Sequence, residues 1–173
     1  MKLLITFLIL FLSNTLFCQN LESIGHYLFS YTVQERIKNN VKAELIMSES
    51  LCKAAKIQAD LILKTGVPTH EHTSPSLRSV RDRVSQFGFK SSPYEIITCF
   101  TYQNVADSLV ARRAVNNFMN SKGHKYTLLT DDIFDDGHKV SYGHCVLYDY
   151  QRKWIIVVEV FVLCIWEEDL LIK

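Results

Sequence analysis

The sequence has little of what breaks chains and no excess of either charge. Only six of its 173 residues are Gly and three are Pro. With no internal period either, collagen-like and repeat architectures are excluded. Lys and Arg total 19 against 18 Asp and Glu, a formal charge of +1, so the clustered basic face that nucleic acid requires is missing. The chain has no G-x-S-x-G elbow, Walker loop or H-E-x-x-H, which leaves serine-hydrolase, nucleotide and zincin chemistry without support. None of its cysteines falls in a C-x-x-C, and thioredoxin-like and zinc-knuckle sites lose their signature with it. What the chain does have is 48% hydrophobic residues. That excludes disorder and, at this length, supports one globular domain or two very small ones at most.

The first residues stand apart. Lys2 precedes an apolar run from Leu3 to Leu12 broken only by Thr6, and polarity returns at Ser13, Asn14 and Thr15 before Cys18-Gln19. Such a run is too short to cross a bilayer core of ~30 Å as a helix but suits a signal-peptide core. We read residues 1–19 as a signal peptide, 20–164 as the domain and 165–173 as a C-terminal tail. The mature chain then carries no transmembrane span and is secreted, periplasmic or held at the cell envelope. Cys18 is placed where a lipoprotein cysteine would be, but Leu16 and Phe17 are bulkier than signal peptidases prefer, which favours simple cleavage. Outside the cytosol Cys52, Cys99, Cys145 and Cys164 either pair, with three connectivities open, or remain small buried hydrophobes.

Helices come first along the mature chain. Ile24, Tyr27, Leu28, Tyr31 and Ile37 recur at roughly helical spacing between Leu21 and Asn40. A second helix follows Ser48, a good N-cap, with Glu49 favourable at the positive helix end. Its apolar face is Leu51, Ala55 and Ile62, and Gly66 with Pro68 stops it. Ser74-Pro75 predicts a short third helix closed by Gly88. Asp107 caps a fourth, in which Val110, Ala114, Phe118 and Ala111, Val115, Met119 form two adjacent rows.

The last third changes period. Val140 to Tyr148, a turn over Asp149-Tyr150-Gln151-Arg152, and the nearly all-apolar Trp154 to Leu163 read as a hairpin, with Tyr94 to Tyr102 as a further strand. An apolar run of that kind suits a strand covered on both faces. The expected architecture is therefore α+β, a three-layer α-β-α sandwich with a small central antiparallel sheet.

Several segments together carry a family resemblance. They are Ala43-Glu44-Leu45, Leu51-Cys52-Lys53-Ala54-Ala55, Thr69 to Pro75 (THEHTSP), Asp82-Arg83-Val84 with Phe87-Gly88-Phe89, and Asn117 to His124 (NFMNSKGH). In order and spacing this resembles the CAP domain, the SCP-like extracellular family, in its bacterial form, from about Tyr31 to Leu163. The last segment is similar to the bacterial W-M-N-S-x-G-H signature with Phe118 in the Trp place.

The resemblance implies an α-β-α sandwich and a cleft of two His and two Glu. By position His72 and His124 match the histidines, and Glu95 falls at the Glu of the family's G-E-N motif, although Tyr94 and Ile96 replace its Gly and Asn. Ser121 lies where eukaryotic members carry the second Glu. Two imidazoles and a carboxylate suit Zn²⁺ or another divalent metal with an open position for water, so His72 and His124 are the expected metal ligands. His70 completes a His-x-His pair, which is commonly only surface polarity. Glu159, a charge inside an apolar strand, must be paired, face a cavity or be neutral. His144 in the G-x-G-like strand is a lesser candidate. The Asp131-Asp132 and Asp135-Asp136 pairs lack the alternating spacing of a calcium loop.

Two functions of different class follow from the resemblance. One is a binding module for a lipid, a cell-envelope component or a partner protein. The other is a metal-dependent hydrolase or peptidase using the same cleft, weakened by the missing glutamate and the absence of a nucleophile beside either histidine.

Overall fold

A computed structural model describes residues 21–129 and 139–164. The signal segment, the Asp131–Asp136 pairs and the tail lie outside the described residues.

Residues 21–38 are helical (α1). A short strand β1 (Glu44–Met47) leads into helix α2 (Glu49–Thr65). Ser48 caps α2 as its sequence predicts, its hydroxyl accepting from the Leu51 N–H at 3.4 Å. Gly66 closes the helix at φ 71°, its N–H donating to the Ile62 carbonyl, a left-handed cap that glycine adopts without steric cost.

The expected third helix is two pieces. Pro75–Leu77 is a single 3-10 turn without a side-chain cap, and helix α3 (Val80–Ser85) starts afresh at Ser79. Ser79 and Asp82 form a reciprocal capping box there, two orphan donors satisfied at once. The true start signal was therefore S-x-x-D, not Ser-Pro.

Strand β2 (Pro93–Thr101) is followed by helix α4 (Asp107–Asn120) and helix α5 (Lys122–Leu128). The N-cap of α4 is Ala106, without a side-chain bond. Asp107, expected as the cap, is instead the first helical residue, where its charge still favours the helix dipole. Strands β3 (Lys139–Asp149) and β4 (Trp154–Cys164) form the hairpin. Asp149 Oδ1 accepts from the Gln151 and Arg152 N–H groups at 2.9 and 3.0 Å, fixing the turn between them.

The sheet order is β1-β3-β4-β2. β2, β4 and β3 are antiparallel as expected, whereas β1, which the sequence did not announce, pairs parallel to β3. Four residues are too few to show a period, so β1 owes its state to the neighbouring strand.

Alternation along β4 sends Ile155, Val157 and Phe161 to one face and Ile156, Val158, Val160 and Val162 to the other. The first set packs under α1, α4 and α5, including Val110, Ala114 and Phe118, and the second under α2 and α3. That double covering explains a strand apolar at nearly every position. Gly143 sets the depth of α2 on the sheet, since a Cβ there would lie 2.2 Å from the Leu51 carbonyl carbon. On the opposite side the buried Arg36 of α1 donates to the Leu128 carbonyl at 2.8 Å and the Ala43 carbonyl at 3.3 Å. It ties α1 to the end of α5 and to the approach to β1.

Candidate functional site

The site gathers at the β2 edge around one buried ion pair. Glu95 shares the strand face of Ile97, the face that packs toward α2 and α3. Arg83 reaches it from α3, its Nη2 donating to Glu95 Oε2 at 2.6 Å with both side chains out of solvent. Arg83 also donates to the carbonyls of His70, Leu77 and Arg78 at 3.0 to 3.3 Å. One guanidinium therefore closes the loop between α2 and α3 onto β2, using the planar fork of donors that arginine alone offers. Gln58 of α2 adds a side-chain bond to the Thr69 carbonyl just before that loop.

With its backbone so held, His70 turns its ring onto the same carboxylate. Nδ1 lies 3.0 Å from Glu95 Oε1, and the imidazole is 56% exposed against 1% for the Glu95 side chain. Glu95 thus fixes one nitrogen of a solvent-facing histidine. His124 approaches from α5, its ring edge-on to Phe118 with centroids 5.5 Å apart. Partial burial lowers the pKa of His124, and the charge of His70 lowers it further, so the two imidazoles are electrostatic neighbours.

No protein-family model matches the sequence, and no curated protein matches it. Two solved structures are similar in fold. An outer surface protein from Borrelia burgdorferi aligns with a TM-score of 0.63 and 22% identity, over 81% of this chain and 92% of its own. An extracellular protein containing a SCP domain from Bacillus anthracis aligns with a TM-score of 0.55 and 20% identity, over 83% of this chain. The chain spans 40% of the length of that second protein. This chain has the CAP (SCP-like) fold.

Within the CAP fold the candidate residues take separate positions. His70, not His72, stands on Glu95. His72 is used locally, its Nδ1 accepting from the Ser74 N–H at 2.9 Å and its own N–H donating to the Arg78 carbonyl at 2.8 Å. Burial first, then the charges of Arg83 and Lys64, lower its pKa. Ser121 is the joint between α4 and α5, its N–H donating to the Phe118 carbonyl, and it makes no side-chain cap bond at the start of α5. Arg83 lies in the Asp82-Arg83-Val84 segment, which assigns it no role by itself. No spacing rule pairs it with Glu95, because the two meet only through the fold.

Glu159 and His144 lie elsewhere. Both face the α1 layer rather than the cleft. Glu159 Oε1 accepts from Thr32 at 3.1 Å and from the Tyr142 hydroxyl at 2.9 Å. Complete burial pushes the Glu159 carboxyl up to about 7. Burial thus favours its neutral form, and the bonds from Thr32 and Tyr142 satisfy Oε1, which is how a strand interior tolerates it. His144 packs against Tyr142 at 5.6 Å, and burial lowers its pKa to about 4.

The divalent metal implied by the resemblance does not fit these donors. Each oxygen of Glu95 already accepts a hydrogen bond, one from a guanidinium whose positive charge opposes a cation. Among the described residues no three His, Cys, Asp or Glu side chains converge as a metal would require. Among the described residues His70 stands on Glu95, His72 is bonded within its own loop, and His124 packs on Phe118.

Proposed function

We propose that this protein is a non-catalytic binding module acting outside the cytoplasm, with the exposed His70 and the half-buried His124 as its contact residues. The observation that carries the reading is the state of Glu95. A general base or metal ligand must reach the reacting group, whereas the Glu95 side chain is 1% exposed and both its oxygens are engaged, by Arg83 and His70. What remains open is the His70 imidazole on a rigidly held loop, with His124 on α5 as the second candidate, which suits recognition through hydrogen bonds. The signal-peptide pattern of residues 1–19, and the fold shared with an outer surface protein and an extracellular protein, support export. Among the described residues no helix is long and apolar enough to cross a membrane. The ligand classes are a lipid, a cell-envelope component or a partner protein.

The test compares the whole protein with a His70→Ala, His124→Ala double variant. Both are assayed on peptide and ester substrates with and without Zn²⁺, and for retention on isolated cell walls and lipid vesicles. Retention that falls in the double variant, with no turnover in either protein, is the expected result. Turnover that requires the two histidines, or micromolar Zn²⁺ binding lost only in the variant, would overturn it in favour of a metal-dependent hydrolase.

A further inference from the structure

A concavity lies away from the Arg83–Glu95 pair. Glu95 pairs with Val160 and Thr101 with Trp154, six residues apart along β2, or about 20 Å at ~3.3 Å per residue. At the Thr101 end, β2, the connection that follows it and the start of α4 enclose a cavity of about 230 Å³. That is roughly eight water volumes at ~30 Å³ each, below the ~300 Å³ of a usual small-molecule pocket. It has room for one ring and a short arm, not for a long acyl chain.

The walls specify the rest. Phe100, Val105, Leu109 and Tyr102 supply apolar surface, and no acidic side chain lines the cavity. Val105 and Leu109 are 41% and 58% exposed, so apolar area waits uncovered at the mouth. Tyr102 meets Tyr148 edge-on at 5.2 Å, and Tyr148 meets Tyr150 at 4.7 Å. Those rings lie behind the lining and hold Tyr102 in place, so Phe100 and Tyr102 are the aromatic faces the cavity offers to another ring. Arg113 is the one ionisable cation in the lining. Its guanidinium lies 4.8 Å from the Phe100 ring centroid, and Nη1 donates to the Thr101 carbonyl at 3.2 Å. Of the five N–H donors an arginine carries, that bond uses one, so the edge that forks onto a carboxylate has donors to spare.

We propose that this cavity binds a compact aromatic carboxylate, its ring against Phe100, Tyr102 and Leu109 and its carboxylate on Arg113. The ligand is either a free aryl acid or the C-terminal aromatic residue of a peptide, since both present the same ring and charge. The site is independent of the histidine cleft.

The test records backbone amide NMR shifts of Thr101, Gln103 and Leu109 as the whole protein is titrated. Probes are 3-phenylpropionate, its neutral amide, and N-acetyl-Gly-Phe with a free or amidated C-terminus. Expected is saturable binding of 3-phenylpropionate, at least about tenfold weaker for its amide and for Arg113→Gln, as loss of a charge-assisted fork implies. Leu109→Glu, at an exposed position, should weaken it similarly by placing a like charge at the mouth. N-acetyl-Gly-Phe binding more tightly than 3-phenylpropionate would identify the peptide terminus as the source, and the reverse order the free acid. Absence of saturable shifts, or equal binding of acid and amide, or no change in Arg113→Gln while the protein remains folded, overturns the proposal.

Discussion

Arg83 and Glu95 meet at 2.6 Å with both side chains out of solvent, and the same guanidinium holds the His70 carbonyl at 3.3 Å. The pair therefore serves two ends. It neutralises a buried acid, and it fixes the backbone of the residue whose ring faces solvent.

Breaking that pair from one side leaves a buried charge without its partner. Arg83→Met is expected to cost about 3–5 kcal/mol of folding stability. Arg83→Met with Glu95→Met should cost clearly less than the sum of the single changes, because neither charge is then stranded. Urea unfolding of the four proteins in the cycle measures the coupling, and additivity would show the pair to be energetically idle.

Glu159 predicts a pH dependence of definite sign. Its native pKa, raised by burial to about 7, lies above the ordinary 4.5, so between those values the folded state binds more protons than the unfolded. Stability then falls as pH rises from about 4.5 to 7, by a total on the order of 3 kcal/mol at ~1.4 kcal/mol per pKa unit. Glu159→Gln removes the titration and should flatten this part of the profile. Parallel slopes for the two proteins in chemical denaturation at stepped pH would refute it.

Three glycine substitutions should rank by what a methyl group would meet. At Gly143 it falls 2.2 Å from backbone of α2, and at Gly25 it falls 2.4 Å from Nε2 of His144, a side chain with little room to move. Gly143→Ala should be the most damaging, since backbone cannot yield as a rotamer can, and Gly25→Ala should cost about 1–3 kcal/mol. At Gly123, inside α5, nothing lies within 4 Å, and Gly123→Ala should stabilise by about 0.5–1 kcal/mol through helix propensity. Thermal midpoints of the three variants decide the order.

The thiols of Cys52, Cys99 and Cys145 are free and partly buried. Burial raises all three, to about 11 at Cys99 and about 12 at Cys145. Because the thiolate is the reactive species, these positions should resist iodoacetamide in the native protein at pH 8 and label fully in urea. Peptide mapping by mass spectrometry reads each position separately, and rapid native labelling of Cys145 would contradict its burial.

Much of the architecture was legible because it rests on local rules. Ser48 and Gly66 bound α2 by cap chemistry, two rows of apolar residues give α4 its buried face, and the Asp149 turn joins two strands that read as strands. These features depend on neighbours within a few residues, where 3.6-residue and two-residue periods translate directly into faces. The errors were also physical. Ser74-Pro75 looked like a helix start until the capping box at Ser79 took that role, and β1 had no period of its own to read.

The cleft was only partly legible. Spacing along a motif placed His72 and left His70 as surface polarity, because a His-x-His pair does not say which ring points inward. Glu159 and Glu95 are both acids in strands, yet one is buried against Thr32 and Tyr142 and the other is paired with Arg83 and His70. By itself the sequence determined the helices, the hairpin and the apolar faces, all consequences of short-range pattern. Only the tertiary structure decided that Arg83 meets Glu95 and that His70 stands on the same carboxylate, because those pairings depend on loop closure and strand register that bring distant residues to one edge of the sheet.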